Sequence, residues 1–317
     1  MNRCLYCYNE ITNKEQIKQE FHQSCSIKFF GSKIPPQIEY SQGDMLELAE
    51  RVVKSQRTVT GVQPKLSLAR KKMTDDSSIE RFTIVGLWGQ YILKPQTELY
   101  NELPEIEDLT MHLANSVKIK TVPHSLIRLK SGELAYITKR VDRLKKRKLH
   151  MEDMCQLTER QTEHKYKGSH EQIARVINLY ASNPGLDKVN FYELVLHSYL
   201  TGNNDMHLKN FSLLKDEKKE YSLCPAYDLV ASELVVEDDD EELALNLNGK
   251  KKKLKKKDFE TAMETSNINQ KAAQNVFDKF KGIKTTWFEI IDKSFLSKEM
   301  KRSYKEMLDL KFQILTE

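Results

Sequence analysis

Residues 203 to 210 read Asn203-Asn204-Asp205-Met206-His207-Leu208-Lys209-Asn210, and a further acid, Asp228, follows one short hairpin later. Asp205 and Asn210 stand five positions apart, a spacing that does not align two side chains on one helical face. They can converge only on an irregular loop. The flanks agree with that reading. Phe191 to Leu200 is an apolar stretch suited to a buried helix, and Gly202 and Asn203 would end it. Phe211-Ser212-Leu213-Leu214 and Tyr221-Ser222-Leu223 read as two short strands around a charged turn, and they deliver Pro225-Ala226-Tyr227-Asp228. An acid, an amide five residues on and a second acid downstream suit phosphoryl transfer. The first acid takes or orients the acceptor hydroxyl, while the amide and the second acid hold magnesium against phosphates. Taken alone, Asp-x-x-x-x-Asn also suits a solvated loop in which Asn and Asp cap neighbouring backbone.

The longer string, Asn-Asp-x-His-x-Lys-Asn-Phe-Ser followed by Pro-x-Tyr-Asp, resembles the HipA family, the serine/threonine kinase toxins of bacterial toxin–antitoxin systems. Other segments resemble it in the same order: Thr60-Gly61-Val62-Gln63-Pro64-Lys65-Leu66-Ser67, Tyr91-Ile92-Leu93-Lys94-Pro95, Ile106-Glu107-Asp108-Leu109-Thr110-Met111 and Lys139-Arg140-Val141-Asp142-Arg143. The resemblance spans about residues 44 to 260 and implies an α+β, two-lobed kinase-like fold. Its N-lobe (44–138) is mixed β/α and its C-lobe (139–317) mostly helical, behind a small Cys/His segment (1–43). The resemblance also implies ATP and magnesium as cofactors. Asp205 becomes the base, Asn210 and Asp228 the magnesium ligands, Lys94 the phosphate contact and Glu107 its partner, with Glu102 and Glu105 as rivals. Gly61, Val62 and Lys65 fall in the phosphate-covering loop, and Lys139 and Val141 in a hinge whose backbone meets adenine. Family members more often carry Phe where Val141 stands. His207 reads as structural support for the loop and Lys209 as a phosphate contact. Thr58 and Thr60 match a stretch that is autophosphorylated in the family, with Thr in place of Ser. On sequence alone, Gly61 to Lys65 is a β-turn with Pro64, since one glycine makes no Walker loop.

Partners follow from the resemblance too: a protein substrate such as an aminoacyl-tRNA synthetase, and an antitoxin or repressor protein. Only about 43 residues precede the loop region, which resembles a shorter branch where a separate small protein supplies a missing N-terminal subdomain.

The first thirty residues carry their own pattern. Cys4-x-x-Cys7 is followed by His22-x-x-Cys25, two ligand pairs of the kind that close a tetrahedron around structural zinc. The segment between them, Tyr8 to Gln19, is poor in apolar residues and would need such a staple. A redox-active Cys-x-x-Cys and a simple set of buried thiols are the alternatives.

Composition narrows the classes. The chain has 317 residues, 39% of them hydrophobic, enough for two moderate cores, and a net charge of +5 that tolerates an acidic ligand. No apolar run approaches the ~20 residues of a membrane span, and the first residues lack a signal-peptide core. Five cysteines, an odd number, suit reduced thiols and a cytoplasmic location. Lys250 to Lys257 is lysine-rich, but Leu243 to Leu247, Asn248-Gly249 and the upstream acids predict an exposed, lysine-protected hairpin, so direct nucleic-acid binding is not expected. Further helices are predicted after the capping box Ser169-x-x-Gln172, with Ile173, Val176, Ile177 and Tyr180 inward, and over Asn269–Phe280 and Lys298–Leu315. Ala272, Val276, Phe280, Met307, Leu308, Leu310 and Phe312 are the expected core there.

Overall fold

The computed structural model describes residues 2–45, 47–48, 65–72, 80–85, 88–144, 147–236 and 239–316. The chain divides into two compact units: Met1–Asp108 with Val122–Arg140 and Lys293–Phe295, and Leu109–Thr121 with Val141–Asp292 and Leu296–Glu317. The first is mixed β/α and the second mostly helical, so the chain is an α+β protein.

The first unit carries an antiparallel sheet of β1 (Leu66–Lys72), β2 (Glu80–Ile84), β3 (Tyr91–Pro95), β4 (His124–Arg128) and β5 (Leu134–Lys139), in the order β2-β1-β3-β5-β4. Side chains alternate across a strand. Tyr91 and Leu93, paired with Lys139 and Ile137, therefore share one face, and Lys94, paired with Tyr136, lies on the other. The Tyr91 face packs on the N-terminal segment through Phe21, Phe29, Phe30 and Phe82, all buried. Two short helices hold that segment. In α1 (Lys14–Gln19) Asn13 caps the first amides, and α2 (Gln23–Phe30) ends at Gly31 in the left-handed region. The Leu5 carbonyl accepts from the Leu126 amide at 3.2 Å, so this segment covers the free edge of β4. The Cys/His segment and the sheet thus share one core.

Ser41 caps the helix that follows: its amide and hydroxyl reach the Asp44 carboxylate at 2.8 and 2.7 Å, and the Asp44 amide returns to the Ser41 hydroxyl. Thr58, Thr60, Gly61 and Val62 lie outside the described residues. Helix α3 (Leu103–Ser116) follows the sheet strand β3 and contributes residues to both units.

In the second unit, β8 (Met151–Asp153), β9 (Ser212–Lys215) and β10 (Tyr221–Leu223) form a small sheet, and β6 (Arg143–Leu144) pairs with β7 (Arg147–Lys148). Helices α4 (Met154–Leu157), α5 (His170–Tyr180), α6 (Pro184–Leu200), α7 (Lys256–Thr265), α8 (Gln270–Phe280), α9 (Lys284–Lys293) and α10 (Lys298–Lys311) complete it. The Ser169/Gln172 capping box is present at the start of α5. The preceding helix ends at Tyr180, and Asn183 then caps α6 while Pro184 occupies its first turn, where its missing amide costs nothing. Val276, Phe280, Leu308 and Phe312 are core, but Tyr180 and Leu310 are exposed, and Ala273 takes the buried place expected of Ala272.

The lysine run behaves differently from the predicted hairpin. Asn248 and Gly249 do form a turn with φ of 50° and 76°, but a single bridge, Leu247 to Lys250, replaces two strands. Leu243, Leu245 and Leu247 point into the core, and Lys250, Lys251 and Lys252 pair with Asp258, Glu241 and Asp240. Local acids thus pair with three of the seven lysines of the run. Among the described residues no helix is long and apolar enough to cross a membrane.

Candidate active site

Strand β3 ends its apolar run at Lys94, and α3 brings Glu107 opposite it. The Lys94 ammonium reaches both carboxylate oxygens of Glu107, at 2.7 and 2.9 Å, with Lys94 only 9% exposed and Glu107 fully buried. Glu107, among the three candidate glutamates, is the one this ion pair uses. The Tyr136 ring lies 5.6 Å from the ammonium and supplies a further favourable contact. Two charges out of water are stable only when so well paired. The next residue on α3, Asp108, is also fully buried. Its carboxylate accepts from the Tyr8 hydroxyl at 2.7 Å and meets His124 Nδ1 at 2.7 Å. Sequence reasoning missed Tyr8, Asp108 and His124 because no spacing rule links them.

In the second unit, α6 ends at Leu200 and Gly202 turns the chain with φ of 63°. A side chain there would also strike Met307, at 2.4 Å from its sulfur. The following loop is anchored by burial of Met206 and Leu208, and the Asn204 amide donates to Ser232 at 3.1 Å. Between Thr201 and Phe211, Asp205 alone is exposed. A rigid apolar anchorage presents one carboxylate. Asn210 Nδ2 donates to the Asp205 carbonyl at 3.1 Å. That bond leaves the Asn210 carboxamide oxygen as the atom able to hold a hard cation, and oxygen donors are what magnesium takes. Asp228 has φ of 60°, a conformation costly for a residue with a side chain and concentrated at functional sites. The charges of Asp205 and Asp228 both bear on His207 and on Tyr166. The Asn210 amide oxygen and the Asp228 carboxylate are oxygen donors of the kind magnesium takes.

Tyr166 is a further residue that sequence reasoning did not find. Its hydroxyl donates to Asp205 Oδ1 at 2.6 Å, and its ring meets His207 edge-on at 5.2 Å. Burial, then the bond to Asp205, push its phenol well above the ordinary range, so it remains a donor. His207 is buried, and burial lowers its proton affinity while Asp205 opposes the shift and Lys165 reinforces it. A neutral, packed ring suits the support role read from sequence.

Lys209 Nζ pairs with Asp153 Oδ2 at 2.9 Å, tying the loop to the end of β8. The Lys139 ammonium stands over Phe29 and Tyr91 at 5.6 and 5.9 Å, on the sheet face opposite Lys94. Burial lowers its proton affinity. Only its backbone remains for an adenine contact, and its amide already donates to Pro123 at 2.9 Å. Val141 is half-buried in a turn, and Lys65 is exposed just before β1.

The N-terminal tetrad converges. One ligand atom from each of Cys4, Cys7, His22 and Cys25 lies within 4.8 Å of all the others. His22 Nδ1 is 3.4 Å from Cys7 Sγ and 3.9 Å from Cys25 Sγ. Zinc bonds of roughly 2.0–2.3 Å in a tetrahedron need ligand separations of about 3.5–3.8 Å, so the cage fits that ion. His22 Nε2 meets the Glu10 carbonyl at 3.1 Å, the outer contact that orients a ligating imidazole. All three thiols are free. Hydrogen bonding by Cys25 and Cys7 holds the Cys4 thiol far below its usual range, and the same sharing pushes Cys25 far up.

Comparison with known proteins agrees with the fold. Two bacterial relatives are named "Putative kinase" and "Putative kinase Y4dM". One, from Haemophilus influenzae, is 28% identical over 73% of this chain and 68% of its own length. The other, from Sinorhizobium fredii, is 34% identical over 53% of this chain and 43% of its own length. Among solved structures, HipA of Shewanella oneidensis, determined with HipB and operator DNA, superposes with a TM-score of 0.68. It shares 20% identity, over 84% of this chain and 71% of HipA. The Helicobacter pylori proinflammatory kinase CtkA gives 0.52 at 19% identity, over 71% of this chain and 88% of its own. Residues 57–287, well over half of the chain, match one family along their whole length, and the protein belongs to the family of the HipA-like C-terminal domain.

Proposed function

We propose that this protein is an ATP- and magnesium-dependent protein serine/threonine kinase, acting as the toxin of a toxin–antitoxin pair. One observation carries the reading. Asp205 is the one exposed residue between Thr201 and Phe211, where every other residue but the half-buried Lys209 is buried, and Asn210 is bonded to its backbone five residues on. Asp205 orients and deprotonates the acceptor hydroxyl, Asn210 and Asp228 hold magnesium, and Lys94, fixed by Glu107, contacts phosphate. Magnesium bound there neutralises charge on the phosphates. A side-chain phosphate on Thr58 or Thr60 would add about −1.5 to −2 charges beside the covering loop and oppose nucleotide binding.

The HipA structure contains its antitoxin partner HipB, and an antitoxin of that kind is the partner proposed here. The Cys4, Cys7, His22 and Cys25 cage is read as a structural zinc site, closed on all four sides and so without a catalytic part.

Calorimetric titration of the purified chain with ATP tests the nucleotide half of this reading. Binding should require magnesium, and Asp228→Ala should weaken it at least about tenfold by removing a metal ligand. Equal affinity with and without magnesium would refute it.

A further inference from the structure

We infer that the metal knuckle is the support that fixes Glu107, so that occupancy of the cage sets the affinity for magnesium nucleotide. The inference rests on the kinase and zinc readings above and adds a physical link between them. Tyr8 directly follows the ligand Cys7, and its amide donates to the Cys4 carbonyl at 2.9 Å, so its backbone belongs to the knuckle turn. It has φ of 63°, which only a locally enforced turn sustains in a residue of this size. From that turn the Tyr8 side chain, 3% exposed, reaches Asp108 Oδ2 at 2.7 Å. His124 holds the other oxygen, Oδ1. A buried carboxylate with a donor on each oxygen has one stable position.

Asp108 and Glu107 are successive residues of α3 and cannot move independently, since one residue of a helix is about 100° of rotation and 1.5 Å of rise. Any roll or slide of α3 that slackens Asp108 also shifts Glu107. The two Lys94–Glu107 contacts, at 2.7 and 2.9 Å, leave little room for that shift. The outer face of the same knuckle is pinned independently: the Leu5 carbonyl takes the Leu126 amide, and Glu20 pairs with Arg128 at 2.5 Å. The knuckle therefore has a fixed base from which to hold α3. Loss of the metal, by chelation, frees the turn that presents Tyr8.

The test uses the full chain. Metal content is measured first, then ATP affinity in magnesium, for wild type, Tyr8→Phe, Glu107→Gln and the double variant. Tyr8→Phe keeps all four metal ligands and the ring contact with Phe295, and removes only the hydroxyl. The expected result is one zinc per chain and ATP affinity reduced about 3–10-fold, the range of one buried hydrogen bond. That effect should shrink below about twofold in the Glu107→Gln background. Zinc-depleted wild type, returned to magnesium buffer, should show a loss at least as large.

Unchanged affinity in Tyr8→Phe, a full effect persisting beside Glu107→Gln, or wild type without metal would each overturn the inference. If wild type binds no ATP, the kinase reading fails by itself. Amide exchange over residues 103–108 then decides: faster exchange in Tyr8→Phe and in zinc-depleted protein supports the link, and unchanged exchange overturns it.

Discussion

The Tyr166 hydroxyl donates to Asp205 Oδ1 at 2.6 Å, so one oxygen of the proposed catalytic carboxylate is held and the other is left for the acceptor. A hydrogen bond to a charged group contributes about 1.5–3 kcal/mol, and here it fixes the rotamer of an exposed side chain. Tyr166→Phe keeps the edge contact with His207. Its kcat should fall roughly 10-fold or more with little change in KM for ATP. A faster variant would mean that the phenol blocks the acceptor position.

Lys94 and Glu107 form a buried pair whose members depend on each other. Lys94→Met leaves a buried carboxylate without its cation and should cost about 3–5 kcal/mol of stability. Lys94→Met combined with Glu107→Gln should recover most of that loss, because no charge is then stranded. Urea unfolding of the two variants gives the comparison; equal losses would show that the pair adds nothing beyond packing.

Gly202 combines a positive φ with a Met307 sulfur 2.4 Å from where a Cβ would stand. Gly202→Ala should destabilise the protein by about 1–3 kcal/mol. In a Met307→Ala background the added cost should drop toward the strain of the left-handed backbone alone. Thermal unfolding of the four proteins in this cycle checks the coupling.

Much of the site was legible because loop chemistry is written in local spacing. The Asp205–Asn210 offset, the Gly202 stop and the two short strands before Asp228 each follow from a few adjacent residues, whereas Glu107 came first of three glutamates through the family resemblance. The residues that were missed act across the chain. Tyr166 lies 39 positions from Asp205, and Tyr8 lies 100 from Asp108. No periodicity encodes such a meeting, only the packing of separate elements. Local signals also carry two meanings: Asn183-Pro184 follows the end of one helix and starts the next. Leu310 and Tyr180 follow helical spacing yet point outward, since periodicity does not say how wide the covered face is.

Two buried histidines make stability depend on pH. Burial brings His197 down to about 3, and burial brings His170 down to about 4. Both are neutral when folded but charge near pH 6.5 when unfolded, so the unfolded chain binds more protons below that point. Their contribution is complete above about pH 6.5 and falls as the solution is acidified toward pH 4, by about 1.4 kcal/mol per pH unit for each histidine. His197 sits edge-on to Trp287 at 5.6 Å. His197→Leu should make the acid limb shallower by one such increment, and parallel limbs for variant and wild type would contradict the assignment.

Phosphoryl transfer itself is the most direct measurement. Purified protein is incubated with ATP labelled at the γ-phosphate, with and without magnesium, and label is followed on the chain, on added protein and on small molecules. The account predicts magnesium-dependent labelling of serine or threonine in protein, reduced at least about 100-fold in Asp205→Ala and abolished in Asp228→Ala. Label passing only to small molecules would remove the protein-kinase assignment, and near wild-type transfer by Asp205→Ala would contradict the account as a whole.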